Sequence, residues 1–269
     1  MPRKPRPETT EPVALDKSAN QSTQLAFLLI EEMADIGAPV ALSDLARRLG
    51  IQKVRAFRYL RTLSAMGYVL QDPDTERYQL SFKLYHLAQA LADRNDLLRD
   101  ARPMMLALRD QTGFTVTLSQ VEPEGMRILD MVRNVHPVEI VTRPGGLLDF
   151  HASAQGKVAL AFGDGAAWNV VRSRPLRRWT DHTNTDIAAL EAEVEQVRRQ
   201  GWAEAPEQTL NGVSALSAPV FDVHKQMVAT LTLAGPLHSL GQPPEDKLVT
   251  ALLTAARRIS GNLGFLEDT

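Results

Sequence analysis

The stretch from Leu42 to Leu80 leaves little choice of fold, because its glycines and apolar spacings cut it into short pieces of fixed type. Leu42 to Leu49 reads as a short helix, with Ser43 as its expected N-cap and Gly50 just past its end. Lys53 to Met66 reads as a second helix, stopped by Gly67. Ala56, Leu60 and Leu63 recur at i, i+4 and i+7, which predicts one buried stripe. Two strand-like runs follow, Tyr68 to Gln71 and Arg77 to Leu80, joined by the turn sequence DPDTE. A longer helix precedes all this, with Leu25, Leu28, Leu29 and Met33 at helical spacing and Ile36-Gly37 ending it. Helix, helix, turn, helix, hairpin is the order of a winged helix-turn-helix.

Charge agrees locally and not globally. The chain carries a net charge of −2. Yet between residues 41 and 70 Arg47, Arg48, Lys53, Arg55, Arg58 and Arg61 face Asp44 alone. A basic cluster on an acidic chain is the footprint of a DNA-reading module joined to something else. With the stripe turned inward, Lys53, Val54, Arg55, Arg58 and Thr62 are expected on the outer face of the recognition helix. Arg grips guanine or phosphate in bidentate fashion. Arg47, Arg48 and Arg77 on the wing are expected to meet the DNA backbone, which carries affinity rather than sequence.

At 269 residues the chain has room for about two domains. The expected organisation is a disordered basic arm over 1–17, the winged helix-turn-helix over 18–81, a linker helix over 82–97 and a second domain over 98–269. In that domain Phe114 to Val121 alternates, with Phe114, Val116, Leu118 and Gln120 on one face and Thr115, Thr117 and Ser119 on the other. Met126 to Val132, Val138 to Thr142, Val213 to Phe221 and Met227 to Ala234 are further strand candidates. RPGGLLDF, 143–150, reads as a loop, and Ser153 to Phe162, Asp186 to Gln200 and Asp246 to Leu263 as helices. Strands and helices mixed without a βαβ repeat predict an α+β domain on an antiparallel sheet.

Other chemistries find little footing. No cysteine is present, so thiolate nucleophiles, disulfides and Cys-based zinc sites are excluded, and a cytoplasmic location is expected. His86, His136, His151, His182, His224 and His238 include no pair at i, i+3 or i+4, so no metal site is expected. Ser153 two residues from His151 lacks a third group, and no G-x-S-x-G elbow occurs. The reading is therefore of no enzyme, no cofactor and no membrane span.

The run LSDLARRLGIQKVRAFRYLRTLSAMGYVLQDPDTERYQLSFKLYHLAQAL resembles the DNA-binding domain of the IclR family of bacterial regulators. FHASAQGKVALAF, RRQGWAEAPEQTLNGVSALSAPVFD and ATLTLAGP resemble segments of its effector half, in the family's order. The DNA domain looks most like the branch controlling catabolism of pectin-derived keto sugar acids. It departs where the family usually has Pro-Lys-Ser-Thr, reading Gln52, Lys53, Val54, Arg55 instead. The resemblance implies a GAF-like effector domain, a homodimer or homotetramer on a double-stranded operator, and a small organic acid as effector. It implies an effector site on Ser153, Ala154, Gln155 and Gly156, with backbone amides of Ala154 and Gln155 as donors at a helix N-terminus. The family's pocket Cys falls on Ala215, its acidic residue near Ala205, and two serines on Thr232 and Ala234. More methyls there point to an aromatic acid, whereas the DNA domain points to a sugar acid; both stay open. Trp202 falls near these segments, although a large aromatic at an element end is more often core than pocket. The alternative function is a GAF-type module whose N-terminal domain binds protein rather than DNA.

Overall fold

A computed structural model describes residues 20–92, 96–134 and 143–266. The expected arm over 1–17, the strand candidate Val138 to Thr142 and His136 lie outside them. The chain divides into two compact units, Met1–Arg94 and Asn95–Thr269.

The first unit opens with α1 (Gln21–Ile36), capped by the Asn20 side chain, which accepts from the amides of Ser22 and Thr23. Then come α2 (Leu42–Arg48) and α3 (Lys53–Ala65). Strands β1 (Val69–Gln71) and β2 (Tyr78–Leu80) form the wing, pairing Val69 with Leu80 and Gln71 with Tyr78. Val40 adds a bridge to Tyr78, exchanging bonds of 2.8 and 2.9 Å. The Asp72 carboxylate ties the turn by accepting from the Thr75 amide at 2.8 Å and the Asp74 amide at 3.1 Å. Leu29, Met33, Leu45, Leu60, Leu63, Val69 and Tyr78 form one core. The stripe Ala56, Leu60 and Leu63 is buried as its spacing requires. One expectation is corrected: Ser43 does not cap α2. The N-cap is Ala41, with no side-chain bond, so Ser43 sits already inside the first turn. The unit ends with α4 (Lys83–Ala92).

The second unit begins with α5 (Asp96–Thr112). Its sheet has six strands in the order β5-β4-β3-β8-β7-β6, every neighbour antiparallel. They are β3 (Thr115–Glu122), β4 (Gly125–Val132), β5 (Leu147–Leu148), β6 (Ala203–Glu204), β7 (Val213–Phe221) and β8 (Met227–Pro236). β5 corrects the reading of 143–150 as plain loop. The Gly145-Gly146 turn bonds Ile128 from both sides, at 2.7 and 2.9 Å, and lays Leu147 and Leu148 against β4. The helices are α6 (Ala154–Phe162), α7 (Ala166–Ser173), α8 (Ile187–Gln200), α9 (Leu237–Leu240) and α10 (Asp246–Asn262).

The alternation of β3 decides the layering. Val116 and Leu118 join Leu216, Leu231 and Leu233 in a core with Met105 and Leu108 of α5 and Leu252 and Ile259 of α10. Trp202 packs against this core rather than in a pocket. The opposite face is buried too, with Thr115, Thr117 and Ser119 all at or below 3% exposed. It is a polar floor: Thr117 lies opposite Thr232, and Thr232 opposite Ser217, whose hydroxyls are 2.9 Å apart. α6 covers part of that floor. Gly156 lets the start of α6 pack onto the Phe150 backbone, which a Cβ there would overlap.

Candidate DNA-reading helix and effector cavity

On α3, Lys53, Val54, Phe57, Arg58, Arg61 and Thr62 are exposed, and Val54 is 78% exposed. Arg58 and Arg61 have the free reach a groove contact needs. Thr62 is partly occupied, its hydroxyl donating to the Arg58 carbonyl at 3.1 Å. Arg55 is half-buried beside Tyr59. The Tyr59 hydroxyl bonds that of Ser22 at 3.0 Å. Its phenol is held below the ordinary range through that bond and the nearby Arg55 guanidinium. Arg55 therefore flanks the outer face instead of centring it. Phe57 and Arg61 also lie on that face; Arg61 was counted in the basic cluster without being placed there, and Phe57 was not singled out from sequence, although the i+3 and i+7 spacing from Val54 marks both.

The other basic residues divide. Arg47 is open, with only an exposed pair to Asp44 at 3.1 Å. Arg48 is turned inward to a half-buried ion pair with Glu32 of α1, also 3.1 Å. Its work is to hold α2 to α1. Arg77 is exposed and donates to the Pro39 carbonyl at 3.2 Å, fixing the base of the wing.

In the second unit a cavity of about 390 Å³ opens between the polar floor and the start of α6. That volume is within the range of small-molecule pockets. Of the residues expected at the effector site, Ser153, Ala154, Gln155, Ala205, Ala215, Thr232 and Ala234 line it together. Gly156 does not; its amide donates to Ser153 Oγ at 3.1 Å. The Ser153 hydroxyl is used on both sides, accepting that bond and donating to the Asp149 carbonyl at 2.7 Å. Ser153 thus shapes the helix end, while the Ala154 and Gln155 amides have no partner among the described residues. His151 turns its Nε2 to the Arg177 carbonyl at 2.9 Å, and the Ser153 hydroxyl proton goes to the Asp149 carbonyl rather than to His151. Asp149 and Trp179 also line the cavity, and neither was anticipated. Asp149 was quoted in a loop, and the RRWTDHTNT segment carries no periodic or motif signal.

Behind α6, Lys157 is buried and binds Glu193 at 2.6 Å and the Glu204 carbonyl at 3.1 Å. Burial pushes the Glu204 carboxyl above its ordinary range, Lys157 opposing and Glu193 adding. Among the described residues no group of His, Asp and Glu is arranged to hold a metal ion.

Residues 89–261 match the family described as bacterial transcriptional regulator IclR C-terminal, and residues 26–73 match the IclR helix-turn-helix domain. The chain belongs to the IclR family. It is thus a DNA-binding transcription regulator with an effector-binding C-terminal domain, which decides between the two readings of its N-terminal half. The glycerol operon regulatory protein of Streptomyces griseus is 32% identical over 91% of this chain and 96% of its own length. The HTH-type transcriptional regulator KdgR of Escherichia coli is 28% identical over 84% of this chain and 86% of its own. The solved IclR regulator of Alicyclobacillus acidocaldarius superposes with a TM-score of 0.80 at 26% identity, over 91% of this chain and all of that one. An IclR homologue of Microbacterium hydrocarbonoxydans, solved with 4-hydroxybenzoate, shares the fold at 24% identity and a TM-score of 0.77, over 88% and 98% of the two chains.

Proposed function

We propose that this IclR regulator reads a DNA operator with α3 and answers to a small organic acid bound in the cavity at the start of α6. The carrying observation is that cavity: two amides without partners at a helix N-terminus, seven expected residues around one space, and a polar floor beneath. A helix end of this kind favours a carboxylate. Isoleucine, leucine and alanine walls leave room for an apolar body. A protein of the same fold is solved with 4-hydroxybenzoate, an acid of that description.

On the DNA side, Lys53, Val54, Arg58 and Thr62 are proposed to face bases, with Arg55 at the edge of the contact. Arg47 and Arg77 are proposed for phosphates, and Arg48 acts through the packing of α2. The working units are 18–81 for DNA, 82–97 as linker and 98–269 for the effector. Two copies are proposed to read a twofold operator, as one winged helix covers one half-site. No catalytic step is assigned: Ser153 and His151 are each committed to backbone groups. A DNA-binding regulator of this kind acts in the cytoplasm.

The test is a gel shift with fragments flanking the gene, repeated across a panel of small organic acids at fixed salt. Operator binding that changes with one acid supports the proposal. Operator binding that ignores every acid stabilising the protein in a thermal-shift screen refutes the coupling.

A further inference from the structure

We propose that Asp149 selects the effector, favouring a monocarboxylate that carries a hydroxyl or ammonium donor and turning away dicarboxylates. This rests on reading the cavity as the effector site. Among the described residues, Asp149 is the only ionisable side chain lining that cavity. Ala205, where the family's acidic residue was expected, faces the same space without a charge.

The carboxylate is held rather than loose. Trp179 Nε1 donates to Asp149 Oδ2 at 2.8 Å. The loop that presents the indole is itself tied down. The amides of Trp179 and Thr180 donate to Thr183 Oγ1 at 3.0 and 2.9 Å, and Thr183 Oγ1 donates to the Gln208 carbonyl at 2.8 Å. Arg177 lies 3.7 Å from the centre of the Trp179 ring on one face. Asp149 Oδ1, by contrast, receives no hydrogen bond among the described residues; it has only a long ion pair, 3.9 Å, to the exposed Arg174 guanidinium. A side chain only 23% exposed thus keeps an open acceptor at a cavity wall. Thr117, Gln155 and Ser214, none more than 3% exposed, line the same space with side-chain polar atoms that have no partner. Facing the cavity without a protein partner, these groups are left for water or a ligand to complete.

Charge then decides the class. The amides of Ala154 and Gln155 and the α6 dipole stabilise one carboxylate. A second carboxylate would meet Asp149, whose charge is offset only by the distant, solvent-exposed Arg174 guanidinium, with no cationic side chain among the described residues lining the cavity itself. A hydroxyl or ammonium would instead give Oδ1 a charge-assisted bond.

Isothermal titration of the full-length protein tests this with matched acids: mandelate and phenylglycine against phenylacetate, 4-hydroxybenzoate against benzoate, and terephthalate as the dicarboxylate. In the wild type at least one donor-bearing acid should bind about tenfold or more tighter than its donor-free match, because a site that hydrogen-bonds a donor rejects the analogue lacking it. Asp149→Ala should erase that preference, bringing the affinities of the matched acids together whatever their common level. Asp149→Asn, which keeps size and removes charge, should raise terephthalate affinity about tenfold; it also carries the test if Asp149→Ala does not fold. A preference that survives Asp149→Ala, or terephthalate binding to wild type as well as the monoacids do, overturns the proposal. Acids that bind and weaken on Ala154→Pro but ignore Asp149 overturn it alone, leaving the cavity as effector site. If no acid binds the wild type, both fall together.

Discussion

Ser153 gives its hydroxyl proton to the Asp149 carbonyl, so the helix end offers an acid two backbone amides rather than that hydroxyl. Those amides are tested by substituting proline, and the backbone says where. Proline at 155 would press its ring against an α-conformed Ala154. At 154 the residue before it is Ser153, already extended at φ −119 and ψ 148, and proline suits the first helical position. Ala154→Pro should therefore keep the fold and weaken an acid effector about tenfold, the worth of one charge-assisted bond. Operator binding without effector should stay as it was; titrations of both ligands check this. The basic residues of the first unit separate by the same logic. Arg58→Ala should cost about 1–3 kcal/mol on the cognate operator if it reads a base. Arg47→Ala should weaken all sequences and flatten the salt slope. Arg48→Ala should instead lower the melting temperature, by loss of about 1 kcal/mol, and leave the slope alone, since it strands the half-buried Glu32. An Arg48 variant with normal stability and a flatter slope would place Arg48 on the phosphates after all.

At the level of elements, what repeats is what the sequence revealed. Ala56, Leu60 and Leu63 point one way because a helix has one period, and Val116 and Leu118 part from Thr117 and Ser119 because a strand has another. The start of α6 was legible from a serine before a small-residue helix. What stayed hidden lacks a period. Ser43 passed for a cap because composition does not say which residue turns first. Leu147-Leu148 became a strand only through bonds to Ile128 and Met126, distant in sequence. Asp149 and Trp179 meet through a loop whose fixing point, Thr183, bonds Gln208 on another segment. The charged cluster behind α6 was hidden in the same way, and it yields a pH test. Glu204 is harder to ionise in the folded chain than in the unfolded one, so its charge destabilises the fold above its raised pKa and not below the ordinary carboxyl range. Glu204→Gln should raise the melting temperature at neutral pH, with the gain shrinking as the pH falls through that range. A gain that is independent of pH would assign it to packing.

For the molecule as a whole, an effector alters operator binding only if it binds two arrangements unequally. Coupling of about 1–3 kcal/mol is usual, a change of roughly five- to 150-fold in operator affinity. Light scattering should give a dimer or larger species, and footprinting an operator with dyad symmetry; a monomer on an asymmetric site would refute the proposed assembly. The strand order carries one more consequence, for synthesis. The DNA-reading unit closes on contacts within its first 94 residues. The effector sheet cannot close early: β3 is flanked by β8, and Thr117 waits for Thr232, more than a hundred residues downstream. At about 5–20 residues per second, a ribosome needs roughly five to twenty seconds to cross that gap. A nascent chain interrupted in that interval holds a closed unit for one DNA half-site and an unfinished sensor, so truncation is expected to abolish effector response before it abolishes DNA contact.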